Sequence, residues 1–241
     1  MKFLFYALGA AAVLLLLMPC SPQAEDKQWE KDAELMVQQQ LKARGIDESR
    51  VLEAMRSVPR HEFVPDTHRP LAYSDRALPI GHGQTISQPY IVALMTELAQ
   101  VKDQDRVLEV GTGSGYHAAV LAQLGQEVYS VEIIEELADS ARQRLQRMGY
   151  ANVRVRAGDG FQGWPEFAPF DAIVVTCAPP EVPEPLQEQL APGGNLVVPV
   201  GEDWQELKVL SKKEDGTWEE ESVIRVRFVP MTGPGVQEME E

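Results

Sequence analysis

The sequence predicts an α/β fold: a doubly wound, mostly parallel sheet with an N-terminal helical cap and a C-terminal β-hairpin. Three observations carry that expectation. Short apolar runs alternate with helical stretches between residues 106 and 200, a glycine-rich loop "GTGSGY" joins the first such run to a helix, and two β-patterned runs flank Asp215-Gly216. The chain has 241 residues, 44% of them hydrophobic. That length and content suit one core and one domain with extensions.

Taken in order, "MKFLFYALGAAAVLLLLMPC" offers one lysine and then an unbroken apolar run from Phe3 to Met18, so residues 1–19 read as a signal peptide or membrane anchor. Neither possible cleavage site is well formed, because Pro19 precedes Cys20 and Pro22 spoils the other. Residues 20–28 turn polar and read as a linker. A helix is predicted over Trp29–Arg44, with Ala33, Met36, Val37, Gln40 and Leu41 at helical spacing and Gly45 as its stop. A second is predicted over Asp47–Ser57, burying Val51, Leu52 and Met55. Strands follow at "RVLEV", "EVYSVE", "NVRVRA", "DAIVVT" and "NLVVPV", with helices at 117–124, 135–148 and 185–190 between them. The main domain is expected over 29–235, and residues 236–241 read as a frayed acidic tail.

Charge and cysteine content narrow the function. The net charge is −15 and no basic stripe is visible, which argues against nucleic acid as a partner. Two cysteines, Cys20 and Cys177, make neither a disulfide framework nor a zinc site, and no metal is implied.

The loop after the first strand is where a doubly wound sheet binds its ligand. Gly111, Gly113 and Gly115 give GxGxG, but Tyr116 stands where a dinucleotide fingerprint needs its third glycine. Glu132 ends the second strand, where a carboxylate can accept from both ribose hydroxyls, and Asp159-Gly160 follows the third, where an adenine edge is expected. An adenosine site without a pyrophosphate site suits S-adenosyl-L-methionine, so methyl transfer leads. Ahead of this loop stands "GHGQTISQPY", residues 81–90, crowded with hydrogen-bonding groups just before a helix start.

The blocks "RHEFVP", "YSDRALPIGHGQTISQPYIVALMTE", "VLEVGTGSGYHAAVLA", "GDGFQGWPEFAPFDAIVVTCAPPEVPEPLQEQLAPGGNLVVPVG" and "RFVPM" together resemble the protein-L-isoaspartate (D-aspartate) O-methyltransferase family, from about Trp29 to Thr232. The resemblance implies a Rossmann-like class I S-adenosylmethionine-dependent methyltransferase that esterifies isoaspartyl residues in damaged proteins and peptides. It implies Ser87 as the active-site serine, and Gln84 and Gln88 on the substrate side. Thr85, Ile86, Gly111, Thr112, Gly113, Ser114, Gly115, Glu132, Asp159 and Gly160 are implied on the cofactor side, with Thr232 a looser match. From spacing alone Ser87 is equally an N-cap of the following helix. The chain departs from many relatives at His117, where they carry Gln, and at Cys177, where they often carry Ala.

An isoaspartyl carboxylate is already a nucleophile and a sulfonium methyl is already activated, so the protein need supply alignment rather than a strong base. Two rivals stay open: a methyltransferase for another small carboxylate or amine, and a non-catalytic binder of damaged proteins. The family resemblance implies a cytoplasmic enzyme, whereas residues 1–19 point to export to the periplasm or to membrane tethering.

Overall fold

A computed structural model describes residues 22–239. The signal peptide or anchor expected over 1–19 lies outside them. Among the described residues no helix is long and apolar enough to cross a membrane.

The first helix is longer and less regular than its spacing predicts. α1 (Pro22–Met36) starts inside the segment expected as a linker and runs on through a π turn at Val37–Leu41 and a 3₁₀ turn at Lys42–Arg44. It stops at Gly45, whose φ of +89° only glycine adopts without strain. Ala33, Met36, Val37 and Leu41 are buried, as the periodicity requires. α2 (Ser49–Ser57) buries Val51, Leu52 and Met55. Two short strands follow that the sequence reading did not anticipate, β1 (Leu78–Gly81) and β2 (Gln84–Ile86), paired antiparallel. The two residues between them, His82 and Gly83, have φ of +51° and +72°. Two successive left-handed residues make the tight turn whose twist suits a hairpin.

α3 (Pro89–Ala99) leads into the alternating part: β3 (Arg106–Val110), α4 (Tyr116–Leu121), β4 (Glu127–Glu132), α5 (Glu135–Arg147), β5 (Val153–Ala157), β6 (Phe170–Val175), α6 (Glu184–Glu188) and β7 (Leu190–Val200). The hairpin β8 (Gln205–Lys212) and β9 (Trp218–Val226) and a last helix α7 (Pro234–Met239) complete the chain. The seven-stranded sheet has the order β5-β4-β3-β6-β7-β8-β9, parallel from β5 to β7 and antiparallel through the hairpin. The chain leaves β3 towards β4 on one side and returns to β6 on the other. That reversal opens a crevice beyond the carboxyl end of β3.

Both faces of the sheet are covered, which is why its strands read as nearly continuous apolar runs. Val107, Val128, Ala172, Val174 and Val197 share one core with α1, α2, α3 and α4, so the helical cap is continuous with the interior. Leu108, Val110, Tyr129, Val131, Ile173 and Val175 line the opposite core. The acidic end does not fray throughout: α7 takes up residues 234–239, and Val236 is buried in the second core with Phe161 and Met231. Asp159 holds it there by accepting from the Gly235 amide at 2.8 Å.

Candidate active site

The glycine loop closes around β6. Gly111, Gly113 and Gly115 have φ of +96°, +52° and +87°. A Cβ on Gly111 would stand 2.3 Å from the Thr176 hydroxyl oxygen, and that hydroxyl instead donates to the Gly111 carbonyl at 2.6 Å. The loop therefore lies flat against the end of β6. Gly115 precedes α4, and its missing side chain leaves room for Leu145 of α5. Glu132, at the end of β4, accepts from the Gly113 amide at 2.7 Å and the Ile134 amide at 3.1 Å. Its carboxylate thus fixes the loop on one side while keeping lone pairs for a ligand.

A small cleft of ≈ 40 Å³ lies beside this loop, lined by Thr85, Ile86, Ser87, Gly111, Thr112, Gly113 and Ser114 of the predicted set, with Val92, Glu109, Tyr116, His117 and Thr176 in addition. Thr112 and Ser130 hydroxyls are 2.5 Å apart, and Ser130 donates to Glu109 Oε2, so the relay runs Thr112 to Ser130 to Glu109. Glu109 Oε1 has no hydrogen-bond partner among the described residues. Burial pushes this carboxyl up to about 8, against which the Ser130 hydrogen bond works only in part. His117 Nε2 meets the Thr96 hydroxyl at 2.9 Å, and that hydroxyl donates to the Val92 carbonyl. Thr96 is therefore the acceptor, and the imidazole carries its proton on Nε2. Burial holds His117 down at about 3, a neutral ring.

The hairpin β1–β2 delivers Thr85, Ile86 and Ser87 to the cleft from above the loop. Ser87 is not the cap of α3: Gln88 holds that position, Pro89 opens the first turn, and no side chain caps it. The Ser87 hydroxyl makes no hydrogen bond among the described residues. Its carbonyl accepts from Arg60 Nη2 at 2.7 Å, while Arg60 Nε donates to the Ala72 carbonyl at 2.7 Å and the guanidinium lies 4.7 Å over the Tyr116 ring. Arg60 is fully buried and has no carboxylate partner among the described residues. It ties the Ser87 backbone to the cap on one side and to α4 on the other.

Ser87 also lines a second, wider cleft of ≈ 450 Å³, bounded by Arg44, Ala77, Gln88, Ile91 and the stretch Ile224–Val229. Thr85, Ser87 and Thr176 belong to both clefts. Gln88 reaches this one, although its amide is held by Asp75 at 2.7 Å. Gln84 reaches neither lining. Asp159 and Gly160 stand behind the loop: Asp159 accepts from the Phe161 amide at 3.0 Å and from Gly235, and a Cβ on Gly160 would be 2.5 Å from Val110. Burial, helped by the Glu132 and Asp159 carboxylates, pushes the Cys177 thiol up to about 12. It is a poor nucleophile placed near both acids.

Glu109 and Thr176 were not singled out from the sequence. Glu109 had a signal, an acidic residue inside the apolar run "VLEV" of a strand buried on both faces. Thr176 had none beyond its place at a strand end.

A family model described as protein-L-isoaspartate(D-aspartate) O-methyltransferase (PCMT) matches residues 30–235. A protein-L-isoaspartate O-methyltransferase of Picosynechococcus sp. is 56% identical over 198 residues, covering 82% of this chain and 89% of its own. Another, of Gloeobacter violaceus, is 56% identical over 206 residues, 84% of this chain and all of its own. Among solved structures, a protein-L-isoaspartate O-methyltransferase superposes with a TM-score of 0.74 at 32% identity, over 85% of this chain and 66% of that one. A putative protein-L-isoaspartate O-methyltransferase from Plasmodium falciparum, solved in complex with S-adenosyl-L-homocysteine, gives 0.72 at 27% identity, over 84% of this chain and 97% of that one.

Proposed function

Because the chain belongs to the protein-L-isoaspartate(D-aspartate) O-methyltransferase family, we propose that its two clefts divide the reaction between them and meet at Ser87. The enzyme esterifies the free α-carboxylate of L-isoaspartyl residues in damaged proteins and peptides with a methyl group from S-adenosyl-L-methionine, the opening step of their repair. The narrow cleft is the cofactor side and the wide one the peptide side. The observation that supports this division is the shared lining, Thr85, Ser87 and Thr176.

The residues present fit the cofactor. Gly111 brings bare backbone against Thr176 where any side chain would fill the space, Glu132 ends β4 with a carboxylate able to accept from ribose hydroxyls, and Glu109 Oε1 is a buried oxygen without a partner among the described residues. When bound, the cofactor supplies a methyl group already activated on a sulfonium. Thr85, Ile86, Thr112, Gly113 and Ser114 are assigned to its walls, and Gly115 to holding α4 behind them. Asp159 and Gly160 are assigned a supporting part, since backbone amides already take the Asp159 carboxylate.

On the peptide side, the free Ser87 hydroxyl is assigned to hold the substrate carboxylate by a hydrogen bond, with Gln88 beside it and Gln84 further out. A hydroxyl can orient one carboxylate oxygen without drawing off the lone pair that attacks. Ser87→Ala is expected to lower kcat by roughly 10²-fold, as misalignment of reacting atoms does, with Tm and cofactor affinity retained. An unchanged kcat removes Ser87 from the mechanism.

We assign residues 29–235 to catalysis and residues 1–19 to directing the chain to the membrane, supported by the apolar run and the single flanking Lys2. Protease treatment of intact spheroplasts tests that assignment. Digestion places the catalytic unit on the outer side, and protection rules the periplasm out.

A further inference from the structure

The wide cleft has a charge opposite to that of the molecule. The chain carries 37 Asp and Glu against 22 Lys and Arg. Yet the lining of this cleft includes three arginines, Arg44, Arg225 and Arg227, and no acidic residue. Arg44 is already committed: it bridges to Asp75 at 2.7 Å and lies 3.4 Å over the Tyr90 ring. Arg225 and Arg227 are different. Both are exposed, and neither has a carboxylate within ion-pair distance among the described residues. Arg225 rests 5.3 Å from the ring of Trp204, itself 77% exposed.

Their placement follows from strand periodicity. Arg225 is the last residue but one of β9 and Arg227 stands just beyond the strand's end, two residues on, so both come out on one side of an extended segment. β9 is the outermost strand of the sheet, and the stretch from Arg225 to Phe228 borders both the wide cleft and an adjoining hollow that holds Trp204, Glu202 and Asp203. A polypeptide laid into the wide cleft with its isoaspartyl carboxylate at Ser87 thus continues past two unpaired guanidiniums. The isoaspartyl group brings a single negative charge, and it is consumed at Ser87. The remaining cations are left to act on the neighbours of the damaged residue.

Resting on the isoaspartyl reading above, we propose that Arg225 and Arg227 are specificity-determining residues, which make the cleft favour isoaspartyl segments carrying an acidic residue beside the damaged one. The molecule as a whole repels such segments, and these two guanidiniums offset that repulsion at the point of binding, against Glu206 across the strand pair from Arg225 and Glu202 and Asp203 in the adjoining hollow. The pairs formed are partly exposed, so the preference is modest and salt-sensitive.

The test uses the full chain and three isoaspartyl peptides that differ only in having Glu, Gln or Lys beside the isoaspartyl residue. At low salt kcat/KM is expected to favour the Glu peptide over the Gln peptide by roughly fivefold, the size exposed ion pairs allow, with the difference in KM. The Lys peptide is expected to be the poorest. High salt compresses the series. Arg225→Gln with Arg227→Gln brings the Glu to Gln ratio towards one, whereas Arg225→Lys with Arg227→Lys keeps it. A double variant that is merely damaged lowers all three peptides together and leaves the ratio standing, which overturns the proposal, as does equal kcat/KM for the Glu and Gln peptides in the wild type. Methylation of none of the three takes the proposal down together with the isoaspartyl reading, a result distinct from methylation without preference.

Discussion

Two buried titratable side chains, Glu109 and His117, set opposite limits on the pH range in which the folded chain is most stable. Burial holds the Glu109 carboxyl at about 8 against its ordinary 4.5, so between those values the folded chain keeps a proton that the unfolded chain has lost. Stability therefore falls as pH rises across that window. Burial holds His117 at about 3 against 6.5, so the unfolded chain takes up a proton that the folded chain refuses. Stability falls as pH drops through that second window. Glu109→Gln, which mimics the protonated acid, is expected to flatten the decline between about pH 4.5 and 8, and His117→Gln the decline between about 6.5 and 3. Urea unfolding of the wild type and each variant at several pH values checks both. Slopes identical to those of the wild type contradict the account. These environments were only partly legible in the sequence. A Glu inside "VLEV" is visible as an anomaly, but the tautomer of His117 depends on Thr96, twenty-one residues away, whose hydroxyl is already committed to Val92. Arg60 is a harder case. A buried guanidinium held by two carbonyls and an aromatic face leaves no trace in residue spacing.

At the level of elements, the loop after β3 and the hairpin β1–β2 are the two parts that shape the narrow cleft proposed for the cofactor. The loop was legible because glycines at alternate positions between a strand and a helix have few other uses. Gly111 shows why the type is needed: φ is +96° and Thr176 occupies the space a Cβ would take. Gly111→Ala is expected to cost about 1–3 kcal/mol in strain at this position and to weaken S-adenosyl-L-methionine binding in a titration by calorimetry, while β3 and α4 persist by circular dichroism. Undiminished affinity contradicts the close-packed loop. The hairpin was not legible as one. Its strands are short, one contains Pro79, and the turn uses His82 where Asn or Asp is commoner. The resemblance to known relatives identified the stretch, and the backbone explains it. The crowding of small polar residues at 81–90 reflects a tight turn followed by three residues that face a ligand cleft.

For the molecule as a whole, the sheet was the most legible part, since strands buried on both faces announce themselves as apolar runs. β3 and β4 occupy the residues predicted, and β7 starts five residues early, at Leu190, because "LAPGG" reads as a loop although its backbone pairs with β6 at Phe170. The end of the chain was misread for a similar reason. "PGVQEM" is too short to show a period, and a single carboxylate, Asp159, anchors it. The two clefts could not be read at all from spacing, because their walls come from the cap, the carboxyl ends of the parallel strands and the last hairpin together. Their meeting at Ser87 is the central claim.

The most direct test incubates the full chain with radiolabelled S-adenosyl-L-methionine and a matched pair of peptides, one isoaspartyl and one normal aspartyl. The account predicts base-labile label on the isoaspartyl peptide alone. Label on both peptides, or on neither while the cofactor binds, contradicts it.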